Sequence, residues 1–101
     1  MTRRLVLCGA GRVSAYLLAA IDGNPNTTLA GICDTDADRL HSVPAGQARD
    51  TDLASLLERT RPDAVIVCTP TGAHATAARL GMAAGAAVLI EKPACVELDT
   101  L

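Results

Sequence analysis

The sequence has no tryptophan, no phenylalanine and a single tyrosine, Tyr16. Without aromatic side chains it cannot build the stacking platform on which single-stranded nucleic acids are held. Charge of one sign is lacking too: nine Lys+Arg stand against eleven Asp+Glu, a formal net charge of -2 at pH 7. A phosphate backbone is not gripped by so even a balance, and no nucleic-acid partner is expected. No apolar run approaches the roughly 18 residues of a membrane-spanning helix, so a chain with no membrane partner is expected. Arg3 and Arg4 ahead of Leu5–Cys8 mimic a secretory leader, but Arg12 interrupts the run at the lower limit of a leader's apolar core. Cys8, Cys33, Cys68 and Cys95 include no CxxC pair. That removes a zinc knuckle and a thioredoxin-type motif, and no metal site is expected. The first three close apolar runs, where thiols behave as small hydrophobes, so reduced cysteines and a cytoplasmic location are expected.

What is present is a chain of 101 residues, 50% hydrophobic and 20% charged. High apolar content with low net charge excludes disorder, and the length fits one domain. A core without aromatic rings must be made of Val, Leu, Ile, Ala and Met. Short apolar runs alternate with helix-like segments. Leu5–Cys8 reads as a strand buried on both faces, and the stretch from Arg12 to Asp22 as a helix. In that helix Val13, Leu17 and Ile21 recur at spacing four, widened by Leu18 and Ala20, and Gly23 with Asn24-Pro25 ends it. Leu29 to Cys33 is a second strand. Asp36 to His41 is a short helix, and a weakly marked third strand falls around Ala45 to Arg49. Asp52 stands where an N-cap is needed for a helix bearing Leu53, Leu56 and Leu57. Ala64 to Cys68 is the clearest strand, Gly72 to Ala84 an Ala-rich helix closed by Gly85, and Ala87 to Ile90 a fifth strand. Strand and helix in alternation, joined by short connections, predict an α/β fold: a doubly wound parallel sheet (Rossmann) with helices on both faces.

The first strand runs directly into Gly9-Ala10-Gly11-Arg12-Val13-Ser14. Gly9 permits a tight turn, Gly11 lets a pyrophosphate approach the backbone, and the helix N-terminus supplies unpaired N–H groups and partial positive charge. The pattern reads GxGxxS, with Ser14 where a third Gly or Ala usually stands. Asp34 ends the second strand somewhat beyond the usual spacing of about 20 residues. A carboxylate there accepts hydrogen bonds from the adenosine ribose hydroxyls and repels a 2′-phosphate, which favours NAD over NADP. Arg12 or Arg39 would offset part of that repulsion.

The second half of the chain carries Val65-Ile66-Val67-Cys68-Thr69-Pro70, then His74, Ala78, Ala84-Gly85, Val88-Leu89 and Glu91-Lys92-Pro93. Together with Thr51-Asp52-Leu53 and Leu56-Leu57, these segments resemble the N-terminal domain of the Gfo/Idh/MocA oxidoreductase family, from about Arg4 to Pro93. The resemblance implies that Gly9, Gly11, Arg12 and Val13 line the pyrophosphate and that Asp34 holds the adenosine ribose. It further implies that Thr69, Pro70 and His74 border the nicotinamide half, and that Glu91 and Lys92 lie beside the nicotinamide ribose and a small-molecule substrate. Ser14, Thr71 in place of a common Asn, and a short segment between Asp34 and Thr51 depart from the family pattern.

Lys92 is the expected catalytic group. An ammonium against the reacting hydroxyl stabilises developing negative charge and, with a lowered pKa, relays the proton. Family enzymes continue into a substrate domain, so a complete dehydrogenase within 101 residues is not expected. A sheet edge without its usual sixth strand is expected to associate with another copy or a partner chain. Two other readings remain open at the level of sequence: a non-catalytic nucleotide-binding module, and a methyltransferase, against which the Glu91-Lys92-Pro93 segment argues.

Overall fold

The computed structural model describes residues 2–9, 12–41, 47–68 and 71–90, the side chains of 12–16, 71–74 and 90 excepted. In chain order the elements are β1 (Arg3–Cys8), α1 (Arg12–Asp22), β2 (Thr27–Cys33), α2 (Ala37–His41), β3 (Ala48–Asp50), α3 (Leu53–Thr60), β4 (Ala64–Val67), α4 (Thr71–Ala83) and β5 (Ala87–Ile90). The five strands form one parallel sheet in the order β3-β2-β1-β4-β5. The expected doubly wound architecture is therefore observed. The third strand is short and lies at the late end of its expected range, while residues 42–46 are outside the described part.

β1 shows why a continuous apolar run belongs at the centre of such a sheet. Val6 and Leu7 point to opposite faces and are both fully buried. Val6 belongs to a cluster with Leu53, Leu56, Leu57, Val65, Val67 and Ala77, the face covered by α3 and α4. Leu7 packs with Ile32 and Leu40, backed by Leu17, Leu18 and Ile66, the face covered by α1 and α2. Of the apolar stripe expected on α1, Ile21 is buried and Leu17 and Leu18 reach the sheet, whereas Ala20 is exposed. Ala20 sits beyond the margin of the stripe, where a single methyl group has little surface to bury.

Local chemistry sets the ends of the elements. Asp52 takes the N-cap position of α3 with extended backbone, but its side chain makes no capping bond. Its carbonyl accepts the Leu56 N–H at 3.1 Å, while its own N–H donates to Asp50 Oδ1 at 2.9 Å. At the other end of α3, Arg61 adopts a left-handed conformation (φ 45) and its N–H donates to Leu57 O at 2.8 Å. Gly85 closes α4 with φ 81, a geometry that glycine reaches without steric cost. At the amino edge of the sheet, the Arg4 N–H donates to Asp63 Oδ2 at 2.7 Å and the Asp63 N–H to Arg4 O at 2.8 Å. These two bonds fix where β4 enters beside β1.

Candidate dinucleotide site

In parallel sheets of this kind, ligands bind beyond the carboxyl ends of the strands, where the strand order reverses. Here β1 leads on to β2 and β3 on one side, and to β4 and β5 on the other. The carboxyl ends of β1, β2 and β3 present Gly9, Asp34 and Asp50 in turn.

Gly9 follows β1 directly and has φ 110, a conformation closed to residues with a Cβ. Its N–H donates to Cys33 O at 2.6 Å, tying the start of the turn to the end of β2. The Cys68 N–H donates to Cys8 O at 2.7 Å, which closes β4 against the same strand. Helix α1 begins at Arg12, so Arg12 and Val13 occupy its first turn. Gly11 and the side chains of Arg12 and Val13 lie outside the described residues.

Asp34 is buried, with 6% of its surface exposed. Its Oδ1 accepts the Asp36 N–H at 2.8 Å, and its Oδ2 lies 3.7 Å from Arg39 Nη1. Arg39 also places Nε 3.8 Å from Asp36 Oδ2. A buried carboxylate at the carboxyl end of β2 stands where the adenosine ribose hydroxyls of a dinucleotide need an acceptor. The Gly9 turn, the α1 N-terminus and the Asp34 carboxylate are thus the groups a dinucleotide needs at these positions, and they fit it.

Asp50 is held differently. The Asp52 N–H donates to its Oδ1, and Arg59 Nη2 donates to its Oδ2 at 3.1 Å and to Arg49 O at 3.0 Å. The Asp52 N–H is the main reason this carboxyl lies below the usual value of 3.8; burial opposes it, and Arg59 and Ser55 add to the lowering. Its role is to join β3 to α3.

The second half of the expected site is described only in part. His74 falls in the first turn of α4, with its side chain outside the described residues. Thr69, Pro70, Glu91 and Lys92 also lie outside them, as does Cys95. Cys8 and Cys33 are free thiols, and no group of three or more metal-ligating side chains occurs among the described residues. No helix among these residues is long and apolar enough to cross a membrane. A cleft of about 440 Å³ lies elsewhere, between the C-terminal ends of α3 and α4, lined by residues such as Leu57, Arg61, Leu80 and Ala84.

Sequence reading missed the run of turns in which an aspartate accepts the N–H two residues on: Asp34 from Asp36, Asp36 from Asp38, and Asp50 from Asp52. The alternate spacing of these aspartates was the available signal. It also missed that Cys8 and Cys33, each just before a site residue, are register partners in β1 and β2. Both close parallel strands that the same reading placed in one sheet, so the pairing could have been found.

A family model described as an oxidoreductase family, NAD-binding Rossmann fold (Gfo/Idh/MocA), matches residues 3–101. Among characterised proteins, inositol 2-dehydrogenase of Rhizobium meliloti is 31% identical over 100 residues, covering 98% of this chain and 30% of that protein. A 4-carboxy-2-hydroxymuconate-6-semialdehyde dehydrogenase of Sphingobium is 34% identical over 93 residues, covering 89% of this chain and 30% of that protein. Among solved structures, the WlbA dehydrogenase of Bordetella pertussis, in complex with NADH and UDP-GlcNAcA, superposes with a TM-score of 0.85 at 32% identity. That match covers 93% of this chain and 30% of the other. The chain thus spans about 30% of the length of these relatives.

Proposed function

Since the chain belongs to the Gfo/Idh/MocA oxidoreductase family as its NAD-binding Rossmann domain, we propose that it holds the dinucleotide for hydride transfer to or from a sugar, polyol or similar hydroxy compound. The observation that carries this reading is the pairing, at adjoining strand ends, of a positive-φ glycine turn and a buried carboxylate, Gly9 and Asp34. The substrate class is supported by the inositol 2-dehydrogenase likeness and by the sugar-nucleotide complex of the WlbA relative. The cofactor supplies the hydride acceptor or donor.

This chain's residues divide the remaining work. Gly9, Gly11 and the first turn of α1, with Arg12 and Val13, bind the pyrophosphate through backbone N–H groups and helix polarity. Asp34 accepts the adenosine ribose hydroxyls. Thr69, Pro70 and His74 border the nicotinamide, and Glu91 contacts its ribose. Lys92 faces the reacting hydroxyl, where its ammonium stabilises the forming alkoxide and moves the proton. The substrate-binding half comes from further sequence or from another chain. A cytoplasmic setting, and a second copy or partner chain along the outer edge of β5, complete the reading; Leu89 on β5 is 56% exposed.

Titration of the chain with NADH and NADPH, following nicotinamide fluorescence and thermal stability together, tests this. Saturable binding that is tighter for NADH is the expected result. A folded chain that binds neither would leave the glycine turn a purely structural feature.

A further inference from the structure

Cys8 and Cys33 have no part in the reading above, yet they flank it on both sides. Cys8 is the last residue of β1, followed by Gly9, and Cys33 the last of β2, followed by Asp34. The two are register partners in the parallel pairing of β1 with β2. Both belong to the cluster on the α3–α4 face of the sheet, so their side chains lie on the same side. Cys68 packs against the cluster on the opposite face.

Adjacent strands run about 4.8 Å apart, and a disulfide spans Cα separations of about 4.4–6.8 Å. Register partners on neighbouring strands therefore fall within bridging range. The two thiols shift each other: Cys33 draws the Cys8 thiol below its ordinary value, while Cys8 and burial push the Cys33 thiol up. They are 5% and 3% exposed, so only a small reagent reaches them. A bulky disulfide does not.

We propose that Cys8 and Cys33 form a redox-responsive dithiol beneath the dinucleotide site, which a hydroperoxide converts to a cross-strand disulfide that weakens NADH binding. The Cys8 thiolate attacks a peroxide oxygen, the O–O bond breaks, and a sulfenic acid forms with release of hydroxide or alkoxide. The Cys33 sulfur then attacks the Cys8 sulfur, the S–O bond breaks, and water leaves with the Cys33 proton. Two thiols are oxidised by two electrons and one peroxide is reduced. Forming the bond draws together the ends of β1 and β2, which are otherwise positioned by the Gly9 N–H bond to Cys33 O. Gly9 and Asp34 shift with them.

The part of this inference that concerns NADH rests on the proposed dinucleotide function; the disulfide itself does not. The test treats the whole chain with hydrogen peroxide, digests it with trypsin under non-reducing conditions and determines masses. The expected product joins peptides 5–12 and 13–39 with the loss of two hydrogens, and dithiothreitol separates them. Oxidised chain is expected to bind NADH at least about fivefold more weakly, with recovery on reduction. Cys33→Ala and Cys8→Ser, treated alike, are each expected to keep their untreated affinity. Absence of the joined peptides overturns the proposal, as does a joined chain with unchanged NADH affinity. If reduced chain binds no NADH, the dinucleotide reading and the proposed effect on affinity fail together, while the masses still decide whether the dithiol closes.

Discussion

Arg39 on α2 holds its guanidinium 3.7 Å from Oδ2 of Asp34, the carboxylate at the end of β2. In the proposed dinucleotide site, this pair would set the charge met by the ribose edge. Asp34 alone repels a 2′-phosphate; Arg39 cancels part of that field, and with 54% of its side chain exposed it does so under solvent screening. Replacing Arg39 with Ala is expected to raise the preference for NADH over NADPH by about fivefold, the equivalent of about 1 kcal/mol for an exposed pair. Parallel titrations with both cofactors measure the ratio, and an unchanged ratio would remove Arg39 from cofactor selection.

Asp34→Ala is expected to act in the opposite sense. NADH binding loses hydrogen bonds to a charged acceptor, about 1.5–3 kcal/mol or roughly 10–100-fold. NADPH binding loses less, because the repulsion disappears along with the bonds. Equal losses for the two cofactors would contradict the ribose role.

Lys92→Ala is expected to leave NADH affinity within about twofold and to abolish turnover in a protein that includes the substrate-binding half, since an acid–base group contributes about 100–10,000-fold. Steady-state rates and cofactor titration on the same preparation separate the two effects. Retained turnover would move the proton to another side chain.

Asp50 gives a pH dependence of stability with a definite sign. Its carboxyl titrates below 3.8 in the folded chain, mainly through the Asp52 N–H bond and then through Arg59. The stabilisation is therefore fully present above that value and is lost as the pH falls through the folded pKa. Melting temperature followed from about pH 7 down to about pH 2.5 is expected to fall less steeply below about pH 4 in Asp50→Asn than in the parent chain. Identical slopes would show that the β3–α3 tie carries no proton linkage.

Gly81 tests the packing of α4. A Cβ built there meets Val88 Cγ2 at 2.9 Å and Val65 Cγ2 at 3.4 Å, both on stiff β-branched side chains. Gly81→Ala is expected to destabilise by about 1–3 kcal/mol of overpacking, outweighing a gain in helix propensity of about 1 kcal/mol. A urea midpoint above that of the parent would refute the close approach of α4 to β4 and β5.

Much of this was legible because burial on both faces leaves a plain mark. Leu5–Cys8 and Ala64–Cys68 read as strands since every position must be apolar, and the loop between β1 and α1 announces itself through Gly9 and Gly11. The weak third strand was hard to read for a physical reason: Ala48–Asp50 is a short edge strand whose residues are only half buried, so polar side chains are tolerated there. Asp52 was read correctly by position, but its side chain does not cap; the turn before α3 is ordered by the bond from the Asp52 N–H to Asp50 Oδ1. Nor does composition reveal that Arg39 reaches Asp34 or that Arg59 reaches Asp50. Those contacts depend on how α2 and α3 sit over the strand ends.

The placement of β1 governs how the chain assembles. The strand made first lies at the middle of the sheet, with β2 on one side and β4 on the other. No two neighbouring strands are joined by a hairpin, so pairing waits on crossovers and contacts distant in sequence, and folding is correspondingly slow. During synthesis at about 5–20 residues per second, one edge of β1 can be covered early by β2. The other stays open for several seconds, until β4 emerges and the reciprocal bonds between Arg4 and Asp63 form. In that interval Leu5-Val6-Leu7 presents unpaired backbone and apolar side chains to any other chain nearby. The segment most protected in the finished domain is the one most at risk of aggregation while it is being made.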